Sequence, residues 1–178
     1  MAITLFPDGR ILHNGVEVAS EKMVDFWAIN TDISNSDSDS DIPGSKFTRN
    51  DKNAGASQIG AGMSVDSNGI WTFPTTGIYK VEAHWSLQNS SSSSTWCDMD
   101  ILFAQDGTNY NAMSRAVASV SASGYYSQPT TTIVVDVTDA SVCKLKFKVN
   151  YAHASTSVRG DGSGSDYSWF DFIRLADT

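Results

Sequence analysis

Several stretches of this chain alternate between apolar and polar residues, and that two-residue period is the strongest constraint on its fold. Four such runs fall at 79–87, 99–103, 133–137 and 143–151. Successive side chains of a β-strand point to opposite sides of the sheet, so the period is typical of strands with one buried face. Clusters of Gly, Ser, Asn and Asp separate the runs. The sequence therefore predicts an all-β, two-sheet antiparallel jelly-roll sandwich of about eight strands.

Length and charge limit the classes of function. The 178 residues suit one jelly-roll domain at 21–178, preceded by a distinct segment at 1–20. The formal net charge of −8 repels phosphate backbones, so we expect no nucleic-acid partner. No apolar stretch approaches the ~18 residues of a membrane span, and we expect no membrane partner. The opening residues lack the features of a secretory signal, which favours synthesis and retention in a cytoplasm.

The N-terminal segment is predicted to be a small β-meander. Asn14-Gly15 is a strong signal for a two-residue hairpin, because both turn positions need positive φ. A meander of this size cannot bury enough surface to be stable alone, so we expect it to dock on another structure. The apolar residues that would make this contact are Ile3, Leu5, Phe6, Ile11 and Leu12.

The last strand carries aromatic residues on both faces. Phe170 and Phe172 alternate with Tyr167, Trp169, Ile173 and Leu175. One face should pack on the domain's own core, and the other is predicted to contact a second subunit. A central strand covered by a loop of the same domain is the alternative. The candidates for the subunit interface are Phe170, Phe172, Trp169 and Tyr167.

Two short blocks resemble a known family. Thr72-Phe73-Pro74-Thr75-Thr76-Gly77-Ile78-Tyr79 runs straight into an alternating strand and resembles the strand entry of the complement-q-subunit globular head. Ser168-Trp169-Phe170-Asp171-Phe172-Ile173-Arg174-Leu175 is similar to that family's aromatic last strand. The family shares the tumour-necrosis-factor-like jelly roll, and similar domains occur in bacteriophage capsid decoration and fibre proteins. The resemblance implies a jelly roll of ten strands, compact homotrimers and ligand binding through outer loops.

These features together lead to a functional hypothesis. We expect a homotrimeric capsid decoration or cement protein of a bacteriophage, located on the virion surface after assembly in the host cytoplasm. Its partners would be copies of itself and the major capsid protein or another virion protein. A fibre or tail tip protein that binds a host receptor or glycan is the alternative. Exposed aromatic residues could form such a recognition site, with Trp96, Tyr125 and Tyr126 as candidates, although burial of each is favoured.

No residue pattern predicts catalysis, so the chain is not expected to be an enzyme, and a small hydrolase is a remote alternative. His13, His84 and His153 are scattered, and no G-x-S-x-G motif occurs. We expect no cofactor and no metal. The carboxylates at 37–41 alternate as calcium ligands do, but a solvated acidic loop is favoured there and at 161–166.

Three further local patterns carry little weight. Cys97 and Cys143 are predicted to be free thiols rather than a disulfide. The tripeptide at 159–161 is Arg-Gly-Asp, for which an ordinary Gly/Ser loop is the favoured reading. Apolar residues at 110–120 have helical spacing, but the Ser- and Ala-rich composition makes this a weak helix signal.

Overall fold

The computed structural model consists almost entirely of β-strands. It describes residues 3–5, 11–13, 16–17, 22–34, 40–49, 57–91, 95–151, 155–162 and 165–178, with the backbone alone at 3–5, 11–13, 16–17, 161–162 and 165. The strands, in chain order, are β1 (Ile3–Leu5), β2 (Ile11–His13), β3 (Val16–Glu17), β4 (Met23–Ile29), β5 (Ser40–Asp41), β6 (Phe47–Arg49), β7 (Gln58–Ile59), β8 (Ser64–Val65), β9 (Trp71–Thr72), β10 (Gly77–His84), β11 (Leu87–Asn89), β12 (Thr95–Ala104), β13 (Asn111–Val120), β14 (Tyr126–Ser127), β15 (Thr130–Val137), β16 (Lys144–Tyr151), β17 (Thr156–Val158), β18 (Asp161–Gly162), β19 (Ser165–Asp166) and β20 (Trp169–Ala176). One 3-10 turn spans Gly44–Lys46, and no described helix is long and apolar enough to cross a membrane.

Two six-stranded antiparallel sheets form the sandwich. Sheet I has the order β15-β10-β20-β4-β6, with β7 beside β4. Sheet II has the order β13-β12-β16-β9-β8, with β5 beside β16. Several neighbours, such as β4 and β20 in sheet I and β9 and β16 in sheet II, come from distant parts of the chain, as they do in a jelly roll, where the first and last strands lie side by side. The predicted fold class is therefore confirmed.

The core lies between the two sheets and is rich in aromatic residues. The inward side chains of β10, β12, β15 and β16 alternate with outward ones along each strand, as the sequence pattern predicted. Trp71, Trp85, Phe147 and Phe170 are buried and pack with ring centroids 4.5–6.1 Å apart where they touch. Such edge-on and tilted contacts add to the stabilisation that burial of apolar area provides.

The block that leads into β10 is a tight, packed turn. The Tyr79 hydroxyl donates to the Thr75 carbonyl at 2.9 Å, and the Tyr79 ring lies 4.9 Å from that of Phe73. Gly77 has φ of 143°, and a Cβ there would lie 2.7 Å from the Ala176 carbonyl oxygen. The glycine is needed for its backbone conformation and for the close approach of β20.

A buried ion pair fixes the start of sheet I. Asp25 is fully buried on β4 and accepts from Arg49 through both oxygens, at 2.9 and 3.1 Å. The Met63 N–H donates to the same carboxylate at 2.7 Å, and the Arg49 guanidinium lies over the ring of Trp27. A buried carboxylate must have its hydrogen bonds satisfied, and the partners of Asp25 come from two other segments. The contacts therefore join β4 to β6 and to the chain before β8.

The residues with helical spacing at 110–120 form a strand and not a helix. β13 pairs along its length with β12, with a bulge after Ile101. Its inward residues Ser114, Ala116 and Ala118 are small, while Met113 and Val117 are exposed. The pairing of β13 with β12 outweighs the local preference for a helix, because that preference is weak in a Ser- and Ala-rich segment.

The smaller sheets complete the fold. β1, β2 and β3 form an antiparallel three-stranded sheet, in which His13 pairs with Val16, as predicted for the N-terminal meander. β14, β11 and β17 form a second three-stranded sheet at one end of the sandwich, and β18 pairs with β19.

Candidate assembly interface

The outer face of sheet I carries a group of apolar side chains that the strand registers bring together. On β4 and β20, Val24 pairs with Ile173 and Ala28 with Trp169. These side chains point away from the core, and of the four Ala28 is fully buried while the others are half-buried. Ile59 of β7 pairs with Val24 and is 51% exposed.

Three rings form a stack across this face. The Phe26 and Trp169 ring centroids are 5.5 Å apart at an interplanar angle of 29°. Trp169 in turn stacks on His84, with centroids 4.9 Å apart and planes 12° apart. The His84 Nδ1 lies 3.0 Å from the Thr130 hydroxyl, which fixes the imidazole at the end of the row. The three rings thus belong to three strands, β4, β20 and β10, and the contact with Thr130 links them to β15.

Beside the stack lies a small charged group. Lys80 Nζ contacts Glu82 Oε2 at 2.9 Å, and this hydrogen bond lowers the pKa of Glu82. Asp171 pairs across the strands with Glu82, and its pKa is raised by burial and by the neighbouring carboxylate. The pKa of His84 is lowered by burial, although the Glu82 charge acts in the opposite direction. Asp171 is therefore a partly buried carboxylate that lies beside the Lys80–Glu82 ion pair on this face.

A second apolar surface lies at one edge of the sandwich, where the edge strands of the two sheets meet. Ser114 of β13 and Thr131 of β15 are hydrogen-bonded across this edge. A cavity of about 280 Å³ opens beside them, with Phe103 at its base and Met113 and Val134 on its walls. Met113 is 51% exposed and Val134 is 59% exposed. The edge therefore offers apolar side chains around a concave site.

The structure divides the four predicted interface residues. Trp169 is half-buried and lies on the outer face of sheet I, as an interface residue should. Tyr167 is also half-buried, and its ring packs under the Arg159 guanidinium. The prediction is wrong for Phe170 and Phe172, which are fully buried. Both point between the sheets and contact the rings of the core, so no second subunit can reach them.

The docking prediction for Ile3, Leu5, Phe6, Ile11 and Leu12 falls on side chains outside the described part of the chain. The backbone of the meander is described, but the contacts of these residues are not. Their docking role stays a prediction.

The predicted recognition residues are more exposed than expected. Trp96, Tyr125 and Tyr126 have 44%, 62% and 55% of their surface exposed, so the preference for burial was wrong. Trp96 lies on β12, in the outer face of sheet II, and Tyr126 lies on β14 in the small sheet. The contact between Arg159 and Tyr126 could not be predicted from the sequence, because 33 residues separate them.

The structure describes only part of the metal, thiol and histidine candidates. Within the described ranges, no group of three or more His, Cys, Asp or Glu residues could hold a metal ion. Asp41 contacts Lys146 at 2.6 Å, whereas the carboxylates at 37 and 39 and His153 lie outside those ranges. Cys97 and Cys143 are free and buried, as favoured by the sequence, and burial raises the pKa of Cys97 to about 12.

The arrangement of the two sheets is that of a tumour-necrosis-factor-like jelly roll, which agrees with the fold that the sequence resemblance implied. Eiger TNF from S. frugiperda superposes with a TM-score of 0.62 at 11% identity, over 89% of this chain and 96% of that chain. Murine APRIL at pH 8.0 gives a TM-score of 0.58 at 15% identity, over 86% and 99%. Its structure at pH 8.5 gives 0.57 at 14% identity over the same shares. No protein-family model and no curated protein sequence match the chain. Identities this low establish the fold alone.

Proposed function

We propose that this chain is a structural protein that acts by self-assembly, as a homotrimeric decoration protein on a bacteriophage capsid, and that it is not an enzyme. The observation that carries the assembly proposal is the outer face of sheet I. A row of stacked rings flanked by Val24 and Ile173 gains free energy when another surface covers it, at roughly 25 cal/mol per Å² of apolar area.

The occupant that we propose for this face is the edge of a second copy of the chain. Val134 of β15 lies beside Lys80, and Met113 lies on β13, whereas the ring stack joins β4, β20 and β10. A contact between the stack and the Met113–Val134 edge therefore joins two different patches and is heterologous. Heterologous contacts close into rings when the rotation between subunits allows it. A ring of three is what the sequence resemblance implies for this fold.

A light-scattering experiment with two tryptophan variants tests the assembly proposal. The wild-type protein is expected to have a mass of about 58 kDa, three times the 19.2 kDa of one chain. Trp169→Ser should give a folded monomer, because it removes the centre of the stack. Trp96→Ser is the matched control, since Trp96 is also exposed but lies on sheet II, and it should leave the trimer intact. A wild-type monomer at micromolar concentration would overturn the proposal.

The virion setting is supported by the resemblance to phage proteins and by the N-terminal meander, which is too small to be stable alone. We propose that residues 1–20 attach the trimer to the major capsid protein or another virion protein, without nucleic acid, membrane or cofactor. Purified phage particles should carry many copies of the full chain over the capsid and none after deletion of residues 1–20. If the protein is found only at the tail ends of the particles, the decoration role is wrong and the tip role takes its place.

The second candidate function is a fibre or tail tip protein that binds a host receptor or glycan. The exposure of Tyr125 and Tyr126 at one end of the sandwich favours it. Loops and short strands at such ends are common positions for recognition, since a rigid scaffold holds them.

A further inference from the structure

The guanidinium of Arg159, a half-buried residue, packs against aromatic rings, and no carboxylate among the described side chains contacts it. Its Cζ lies 3.5 Å from the ring centroid of Tyr167 and 4.6 Å from that of Tyr126. Every other arginine that the structure describes contacts an aspartate: Arg49 contacts Asp25, Arg115 contacts Asp100 and Arg174 contacts Asp177. Within the described residues, Arg159 has no such partner. In a chain with 20 acidic and 12 basic side chains, this is an unusual position.

The geometry leaves the donors of this guanidinium available. A distance of 3.5 Å between Cζ and the ring centroid requires the planar group to lie flat on Tyr167, because an N–H directed at the ring would hold Cζ farther away. A stacked guanidinium keeps its N–H groups in its own plane, at right angles to the line joining it to the ring. The aromatic contact therefore fixes the position of the cation without neutralising its charge.

The backbone on both sides of Arg159 is also fixed. The Arg159 N–H donates to the Ser86 carbonyl at 2.8 Å, and the buried Ser168 hydroxyl donates to the Arg159 carbonyl at 2.7 Å. The Gly160 N–H donates to Asp32 at 2.8 Å, and a Cβ on Gly160 would lie 2.3 Å from the backbone of Thr31. The side chain thus projects from a rigid part of the fold, so little ordering entropy is lost when a ligand binds.

We infer that Arg159, with the exposed ring of Tyr126, forms a binding site for a carboxylate-bearing sugar. A guanidinium edge matches a carboxylate through two parallel hydrogen bonds. The Tyr126 ring, 55% exposed, offers a flat apolar surface beside it for the ring of the sugar. The net charge of −8 disfavours dense polyanions such as nucleic acids and polysulfates, whereas a single carboxylate on a mainly neutral glycan meets the one unpaired guanidinium among the described arginines.

This site does not depend on the assembly proposed above. It is built from the small sheet of β11, β14 and β17 and from the residues before β20, and neither the sheet I stack nor the Met113–Val134 edge contributes to it. A trimer would present three copies of the site, and multivalent display would strengthen binding to a surface that carries many such sugars.

The test compares two sugars and two arginine variants of the full chain. Saturation-transfer NMR should detect binding of sialyllactose, which carries a carboxylate, and should not detect lactose, which lacks one. Arg159→Gln should weaken sialyllactose binding about tenfold or more, the loss expected for a charge-assisted pair of hydrogen bonds. Arg115→Gln is the matched control, because it removes the same charge from a guanidinium that Asp100 already occupies, and it should bind as the wild type does.

A third variant separates the planar geometry from the charge. Arg159→Lys keeps the charge and loses the planar fork, so it should also bind sialyllactose more weakly than the wild type. Equal losses of sialyllactose binding in the Arg159→Gln and Arg115→Gln variants would mean that the effect comes from the overall charge of the protein, and would overturn the inference. Equal binding of lactose and sialyllactose would overturn it as well, and so would binding of a hexaglutamate peptide in place of the sugar. A melting temperature for each variant establishes that it is folded.

Discussion

The outer faces of the two large sheets project from the same core but present different chemistry. On sheet II, Arg115 donates to both oxygens of Asp100 at 2.7 and 2.8 Å and lies 3.6 Å from Asp98. On sheet I, the corresponding central position holds Trp169 between Phe26 and His84. The sheet II face carries these ion pairs together with exposed apolar side chains such as Val117, and the sheet I face carries the stacked rings beside the Lys80–Glu82 pair.

This difference is the basis of the assembly proposal. Exposed ion pairs lose little by remaining in water, and their net contribution to stability is small. Aromatic surface gains from being covered, and antiparallel sheets usually keep one face wet rather than apolar. We therefore propose sheet I as the side that a second copy of the chain covers.

The largest expected effect comes from comparing substitutions on the two faces of β20. Phe172→Ser should lower the free energy of unfolding by about 3–5 kcal/mol, because Phe172 is fully buried and its ring lies 4.8 Å from that of Trp71. The melting temperature should fall by roughly 6–20 °C. Trp169→Ser, three residues away on the outer face, should lose the trimer and keep the fold. If calorimetry shows that both variants unfold alike, the two faces are not distinct.

The next effect compares two arginine–aspartate pairs that differ in burial. Asp25→Asn should cost about 3 kcal/mol, because it removes the charge that pairs with Arg49 and leaves groups around the fully buried side chain poorly satisfied. Asp100→Asn on sheet II should cost less, about 1–2 kcal/mol, because Asp100 is also buried but Arg115 is 54% exposed, against 35% for Arg49, and water can solvate it. Urea denaturation of both variants measures the difference. Equal losses would mean that the ion pairs of sheet II support the fold as much as the buried pair does.

The sequence predicted the fold well and the site only in part, for physical reasons. Strands such as β10 and β16 bury one face in their own domain, so their burial appears in the local pattern. β13 was missed because its inward residues are small and its exposed Met113 and Val117 have helical spacing. The two apolar faces of β20 were visible, but nothing local distinguishes the core side from the outer side. Arg159 packs on Tyr126, which lies far from it in the chain, and only the fold brings the two residues together.

The smallest expected effect concerns the carboxylate that lies beside the ring stack. Burial raises the pKa of Asp171 above the 3.8 of an ordinary aspartate. At a pH between the unfolded and the folded pKa, the folded chain therefore holds a proton that the unfolded chain has released. Stability from this group is therefore present below pH ~3.8 and decreases as the pH rises through the folded pKa. Asp171→Asn should raise the melting temperature at pH 7, by less than the ~2–4 °C that corresponds to 1 kcal/mol, and should change nothing at pH 3.

Glu82 gives the opposite sign and makes the test sharper. Its pKa is lowered by the hydrogen bond from Lys80, so its contribution is present above the unfolded pKa and is lost as the pH falls through the folded one. Glu82→Gln should therefore lower the melting temperature slightly at pH 7, where Asp171→Asn raises it. A second copy of the chain placed over sheet I would bury Asp171 further, and the gain from Asp171→Asn would then increase with protein concentration. A gain that is independent of concentration would mean that this part of sheet I stays open to water.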